Sequence, residues 1–151
     1  MKPACFIREA EVSDAGSLAT LMVELGYATT EGEMRERLKK ILPDARFKTF
    51  VAHVDDHVCG MIGMIAHASY EHNDPGGRII ALVVSNEMRR RGVGQQLIRA
   101  AEKDFLSRKV TRIAVNTQLT RKEAHRFYEM LGYEKNGWRF VKDLSARSDQ
   151  L

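Results

Sequence analysis

Residues 79–85, Ile-Ile-Ala-Leu-Val-Val-Ser, are apolar at odd and even positions alike. Successive side chains of a strand point to opposite faces, so this run has to be covered on both sides and belongs inside a layered sheet. The flanking patterns supply the layers. Cys5 to Glu9 predicts a first strand. Ser13 or Asp14 then caps a helix striped with Leu18, Leu21, Met22 and Leu25, stopped by Gly26. Thr30 and Glu33 form a capping-box pair opening a second helix striped with Met34, Leu38, Ile41 and Leu42, which Pro43 ends.

Phe47 to Val54 and Val58 to Ala68 read as a hairpin turning at Asp55-Asp56-His57, followed by a loop from Tyr70 to Gly77 rich in turn formers. After the buried strand, Arg89 to Gly94 leads into a helix reaching about Ser107, with Val93, Leu97, Ala101 and Phe105 inside. Thr111 to Thr117 is a strand. Arg121 to Leu131 is a helix with Ala124, Phe127, Tyr128 and Leu131 inside and Gly132 at its end, and Gly137 to Leu144 is a closing strand. The expected fold class is α+β: a mixed β-sheet with helices on both faces. The hairpin is antiparallel, and the strands at Ile79 and Thr111 run parallel because a helix links them. At 151 residues the chain fits one domain. We place it at residues 1–144, with polar residues 145–151 as a flexible tail.

Several function classes fall away. No run nears the ~20 apolar residues of a membrane span. Lys2, Arg8, Glu9 and Glu11 interrupt any apolar core of a signal peptide, so a cytoplasmic protein is expected. Cys5 and Cys59 form no C-x-x-C pair and read as two buried thiols, and the five histidines show no metal-ligand spacing, so no metal is expected. The net charge of +4 is spread along the chain apart from Arg89-Arg90-Arg91. No nucleic-acid motif or aromatic interleaving accompanies it, which argues against a nucleic-acid partner.

That arginine run sits where a strand passes into a helix, as Leu82-Val83-Val84 and then Arg89-Arg90-Arg91-Gly92-Val93-Gly94-Gln95. The first N–H groups of a helix lack intrahelical acceptors and its dipole adds positive character, so such a junction suits an anion. Gly92 and Gly94 let a diphosphate approach without meeting a Cβ, and the arginines add charge-assisted hydrogen bonds. The spacing is neither that of a P-loop nor a dinucleotide-binding fingerprint. Set against this is the plain alternative of a solvated arginine run beside helix-start glycines.

Arg89-x-x-Gly92-x-Gly94 after a buried strand, followed by Ala124-His125-Arg126-Phe127-Tyr128-Glu129-x-x-Gly132-Tyr133, resembles the GNAT superfamily of N-acetyltransferases, most closely over Phe47 to Val141. The first segment is similar to that family's [RQ]-x-x-G-x-[GA] signature and the second to its A-x-x-F-Y-x-x-x-G-[FY] segment. The resemblance implies a GNAT-like fold, acetyl-CoA as cosubstrate, and direct transfer of acetyl to a primary amine on a small molecule or peptide in a ternary complex. It places the backbone of Leu82, Val83 and Val84 along the acetyl and pantetheine end of the cofactor, with an N–H near Val83 or Val84 polarising the thioester. Arg89, Arg90, Arg91, Gly92, Val93, Gly94 and Gln95 then lie at the diphosphate, and Tyr128 protonates the departing thiolate.

Two positions depart from the family. Asn116 stands where some members carry a glutamate base, and Arg121 where many carry an asparagine that bonds pantetheine; both count here among the cofactor-facing residues, Arg121 toward a phosphate. The base is therefore Glu71, favoured because its loop borders the acceptor side in the family, or His72, or a water chain. Acceptor recognition falls to Gly26 to Glu33, which holds Tyr27, and to Tyr70 to Gly77. Their acids Glu31, Glu33, Glu71 and Asp74 suit a cationic amine or serve as ordinary solvated charges. A non-catalytic acyl-CoA sensor is the alternative function, and exposed strand edges make a homodimer reasonable.

Overall fold

The computed structural model of the chain describes residues 4–116 and 122–145. The chain divides into two compact units, Met1–Val115 and Asn116–Leu151. The first contains β1 (Cys5–Glu9), α1 (Ala15–Leu25), α2 (Glu31–Ile41), β2 (Phe47–Val54), β3 (His57–His67), β4 (Gly76–Val84), α3 (Val93–Ser107) and β5 (Arg112–Val115). Its strands form one sheet in the order β1-β2-β3-β4-β5. Neighbours pair antiparallel through β4, and β4 pairs parallel with β5, as a crossover through α3 requires.

The local signals act largely as read. Thr30 Oγ1 accepts the Glu33 N–H at 3.1 Å, and Glu33 Oε1 accepts the Thr30 N–H at 2.9 Å, so both donors at the head of α2 are satisfied. Gly26 ends α1 at φ 111°, a left-handed conformation that favours glycine. The expected cap at the other end of α1 differs. Asp14 occupies the position before the helix, but its carboxylate caps nothing there. It accepts both Arg8 Nη groups at 2.9 Å and the Glu11 N–H at 2.8 Å. A bidentate guanidinium is the stronger partner, and it fastens β1 to the start of α1.

The two faces of the sheet are covered separately. Val51, Met61 and Val83 lie side by side across β2, β3 and β4 and pack with Leu18, Leu21, Met34 and Leu38 from α1 and α2. The opposite face takes α3, whose Val93, Leu97, Ala101 and Phe105 are all at most 2% exposed. At Gly77 of β4 a Cβ would stand 2.7 Å from Phe105 Cε1, so the helix rests directly on the strand backbone. Burying Phe105 alone is worth roughly 2–3 kcal/mol.

In the second unit α4 spans Lys122–Met130, and Gly132 follows it at φ 91°. The closing strand expected at Gly137 to Leu144 is absent: among the described residues this segment joins no ladder. Alternating apolar residues supply propensity, but a strand exists only where a neighbour takes its N–H and C=O groups. Trp138 and Phe140 are 72% and 92% exposed. Thr117, expected to end the fifth strand, lies outside the described residues, as do Arg121 and most of the expected tail.

No helix among the described residues is long and apolar enough to cross a membrane. No three His, Cys, Asp or Glu side chains among them gather in a way that could hold a metal ion. Cys59 is buried, Cys5 is half-buried, and neither is bridged.

Candidate active site

β4 is paired on both edges only in its first half. Its ladder with β5 runs from Gly76 opposite Arg112 to Ile79 opposite Val115 and stops. Beside that point a bulge at Gly63/Met64 leaves Ile80 without a partner on β3, and Ile80 is 48% exposed. Residues 81–84 go on pairing with β3, while their other edge has no strand beside it among the described residues. The Ser85 N–H donates to the Cys59 carbonyl at 2.8 Å, which fixes the alternation along the strand. Val83 directs its backbone groups at β3, and Leu82 and Val84 direct theirs at the open edge. Of the three strand residues expected to present backbone, Val83 therefore does not: its polar groups serve the ladder and its side chain, 4% exposed, serves the core. The Val84 carbonyl on that edge accepts Arg89 Nε at 3.4 Å.

From Ser85 the chain passes through a single 3-10 turn, Asn86–Met88, into the arginine run. Arg90 adopts φ 64° and Gly92 φ 80°, two left-handed residues that double the backbone back before Val93 starts α3. The first bond of the helix runs from the Gln96 N–H to the Gly92 carbonyl at 3.1 Å. The N–H groups of Val93, Gly94 and Gln95 thus have no intrahelical acceptor, and Gly92 has no side chain with which to cap them. A Cβ on Gly92 would meet nothing within 4 Å, so the space before the helix is open. Arg89, Arg90 and Arg91 are exposed around it. Three uncapped donors and a helix dipole end beside exposed guanidinium groups have the chemistry that suits a multiply charged anion.

The acidic residues expected on the acceptor side are mostly engaged elsewhere. Glu33 belongs to the capping box, and Glu31 Oε1 accepts Arg35 Nη2 at 2.8 Å. Asp74 accepts Arg112 Nη1 at 3.0 and 3.1 Å and Thr111 Oγ1 at 3.2 Å. The Arg112 guanidinium holds its carboxyl below the usual range. Glu71 alone of the four has no side-chain partner among the described residues, and it is exposed. Its backbone is anchored, because Ser69 Oγ accepts the N–H groups of Glu71 and His72 at 3.1 and 3.0 Å. A groove of about 420 Å³ lies between α1 and the expected acceptor connection, lined by Gly16, Thr20, Val23, Glu24, Thr29 and Glu31.

In the second unit Asn116 is exposed. Tyr128 is half-buried on α4, with its ring edge-on to Phe127 at 5.3 Å and to Tyr133 at 5.8 Å. Arg121 lies outside the described residues. The family resemblance implies that β4 splays from the strand after it, but neither the residue at which the ladder stops nor the left-handed Arg90 was legible in the sequence. Neither leaves a mark in composition, since a bulge and a positive φ on arginine are set by tertiary pairing.

Comparison with known proteins bears on the same segments. The model of the acetyltransferase (GNAT) family matches residues 18–133. The chain is 30% identical over 143 residues to an aminoalkylphosphonate N-acetyltransferase of Salmonella typhimurium, covering 94% of this chain and 93% of that one. A solved GNAT family acetyltransferase of Staphylococcus aureus is 27% identical, with TM-score 0.81 and coverage of 93% and 99%. The aminoglycoside N-acetyltransferase AAC(6')-Iy, solved with CoA, shares the fold at 18% identity, TM-score 0.84 and coverage of 95% and 96%. On the strength of the family match and the curated relative, the chain belongs to the GNAT family of acetyltransferases.

Proposed function

We propose that this protein moves an acetyl group from acetyl-CoA to a primary amine, with both substrates held at once. The observation that carries the reading is the β4–α3 junction, where a half-open strand edge runs into three uncapped N–H groups. The thioester supplies an activated acyl group, and the protein has to hold it, polarise it and manage two protons. The N–H groups of Val93, Gly94 and Gln95, with Arg90 and Arg91, take the diphosphate. Leu82 and Val84 offer donors and acceptors to the amides of the pantetheine arm. The Val84 N–H is the donor for the thioester carbonyl, a preorganised contact of the kind worth ~3 kcal/mol. Arg89, drawn to the Val84 carbonyl, holds the strand end rather than a phosphate. Asn116 and Arg121 stay assigned to the cofactor side on the family resemblance. The family match spans the boundary between the two units, which supports reading both as parts of one domain, and we keep its bounds at residues 1–144.

Tyr128 is the proton donor to the departing thiolate. A phenol O–H is a donor that can pass its proton to a thiolate formed beside it. The attacking ammonium has to lose a proton first, and Asn116 is an amide that cannot take it. Glu71 is the acceptor we assign, with His72 beside it and bulk water behind. The Salmonella relative acts on aminoalkylphosphonates, so small amines bearing an anionic group head the acceptor classes, ahead of polyamines, amino acids and peptide N-termini. The amide at Asn116 favours one second reading, a domain that binds acyl-CoA without turning it over.

The test is release of free thiol from acetyl-CoA against a panel spanning those classes. Amine-dependent release supports the transferase. Tight acetyl-CoA binding with no release above the amine-free rate for any member supports the sensor.

A further inference from the structure

Gly60 of β3 stands directly opposite Val84 of β4. A Cβ built on it would come within 3.2 Å of Leu97 Cδ1, 3.2 Å of the Val83 carbonyl oxygen and 3.3 Å of Val93 Cγ1. Carbon atoms pack best at roughly 3.5–4.0 Å. The first turn of α3 therefore sits as low on the sheet as a residue without a side chain allows. Val93 and Leu97, the two α3 residues above it, are 2% and 0% exposed, so neither has room to turn aside. Val93 also opens the helix and carries the first of its uncapped N–H groups.

We propose that Gly60 is a positioning residue that sets the spacing between the α3 N–H cradle and the Leu82–Val84 edge, so that one covalently continuous carrier reaches both. The inference rests on reading this junction as the acetyl-CoA site. Two half-sites joined by one ligand gain from each other only while their separation matches the ligand's span. A methyl at Gly60 obliges Leu97 Cδ1 and Val93 Cγ1 to give by a few tenths of an ångström, and on this inference α3 gives with them and shifts relative to β4. Each half-site survives that shift, and their joint engagement does not. Gly63, three residues along β3, supplies the comparison: a Cβ there meets its nearest neighbour at 3.7 Å, an ordinary contact.

The experiment compares wild type, Gly60→Ala and Gly63→Ala. Dissociation constants are measured by NMR titration for CoA, for ADP as the diphosphate half and for pantetheine as the other half. Expected for Gly60→Ala is at least a tenfold loss of CoA affinity with ADP and pantetheine each within twofold of wild type. Gly63→Ala should match wild type for all three. Gly60→Ala/Val93→Ala/Leu97→Val, which removes both α3 contacts, those with Val93 Cγ1 and Leu97 Cδ1, should recover CoA binding to within about threefold and carries the same comparison if the single variant does not fold. Unchanged CoA binding by Gly60→Ala, or an equal loss for both fragments and CoA, overturns the inference while leaving the cofactor site in place. A wild-type protein that binds none of the three overturns the cofactor reading and this inference with it.

Discussion

Replacing Gly92 with alanine distinguishes an anion cradle from a helix start that happens to contain glycine. Gly92 and Gly26 both sit in the left-handed region, at φ 80° and 111°, and a Cβ on either would meet nothing within 4 Å. Each substitution therefore costs backbone strain without a clash, roughly 1–2 kcal/mol. For a chain of this length that lowers Tm by about 2–8 °C, similarly in the two variants. Only Gly92 borders the uncapped N–H groups of Val93, Gly94 and Gln95, so only there does the added methyl obstruct a diphosphate. Losing two charge-assisted hydrogen bonds at about 1.5 kcal/mol each removes about 3 kcal/mol of binding. That corresponds to a CoA dissociation constant raised on the order of 100-fold. Calorimetric titration of CoA into wild type, Gly92→Ala and Gly26→Ala, alongside thermal melts, reads both quantities. Equal melting losses with CoA affinity within twofold in all three proteins would refute the cradle.

Two further predictions address the other unit and the fold. Tyr128→Phe should lower kcat by roughly 100-fold, in the range for a lost general acid, while CoA affinity stays within twofold; equal kcat removes Tyr128 from the mechanism. Asp14→Asn should destabilise by about 1.5 kcal/mol at pH 7, the low end for a charged hydrogen bond because 39% of the Arg8 side chain remains in water. The Arg8 guanidinium holds the Asp14 carboxyl below its ordinary value, so the folded protein resists protonation there. That stability is complete above the unfolded pKa of about 3.9 and disappears as pH falls through the lower folded value. Denaturant unfolding of both proteins at pH 7, 5 and 3 should give a constant gap between the first two and a narrower one at pH 3. A gap independent of pH would contradict the assignment.

What the sequence disclosed follows from how local each signal is. The Thr30–Glu33 box, the Gly26 stop and the α3 stripe depend on neighbours three or four positions away, and each stands where the pattern put it. The apolar strand at 79–85 was legible as an inner strand with the one at Thr111 parallel to it, but not the 48% exposure of Ile80 or the extent of that pairing. Only the register shows that β5 leaves β4 after Ile79 and that the open edge belongs to Leu82 and Val84. Asp14 shows the same limit, since an aspartate before a helix reads as a cap until Arg8, six residues earlier, claims it through the fold. Among the acids of the acceptor loops, Asp74 is taken by Arg112 from β5, a partner 38 residues away that no periodicity announces. Gly137 to Leu144 errs the other way, with strand chemistry but no ladder among the described residues.

The central claim is that the amide groups at the head of α3, together with the end of β4, are the surface that receives CoA. Amide-resolved NMR of the ¹⁵N-labelled protein during a CoA titration addresses it residue by residue. The account predicts saturable shifts that are largest at Val93, Gly94 and Gln95, with a second group at Leu82 and Val84, and small changes at Val83, whose N–H is turned to β3. Saturation with the largest shifts elsewhere, or no saturable change at these amides, would contradict it.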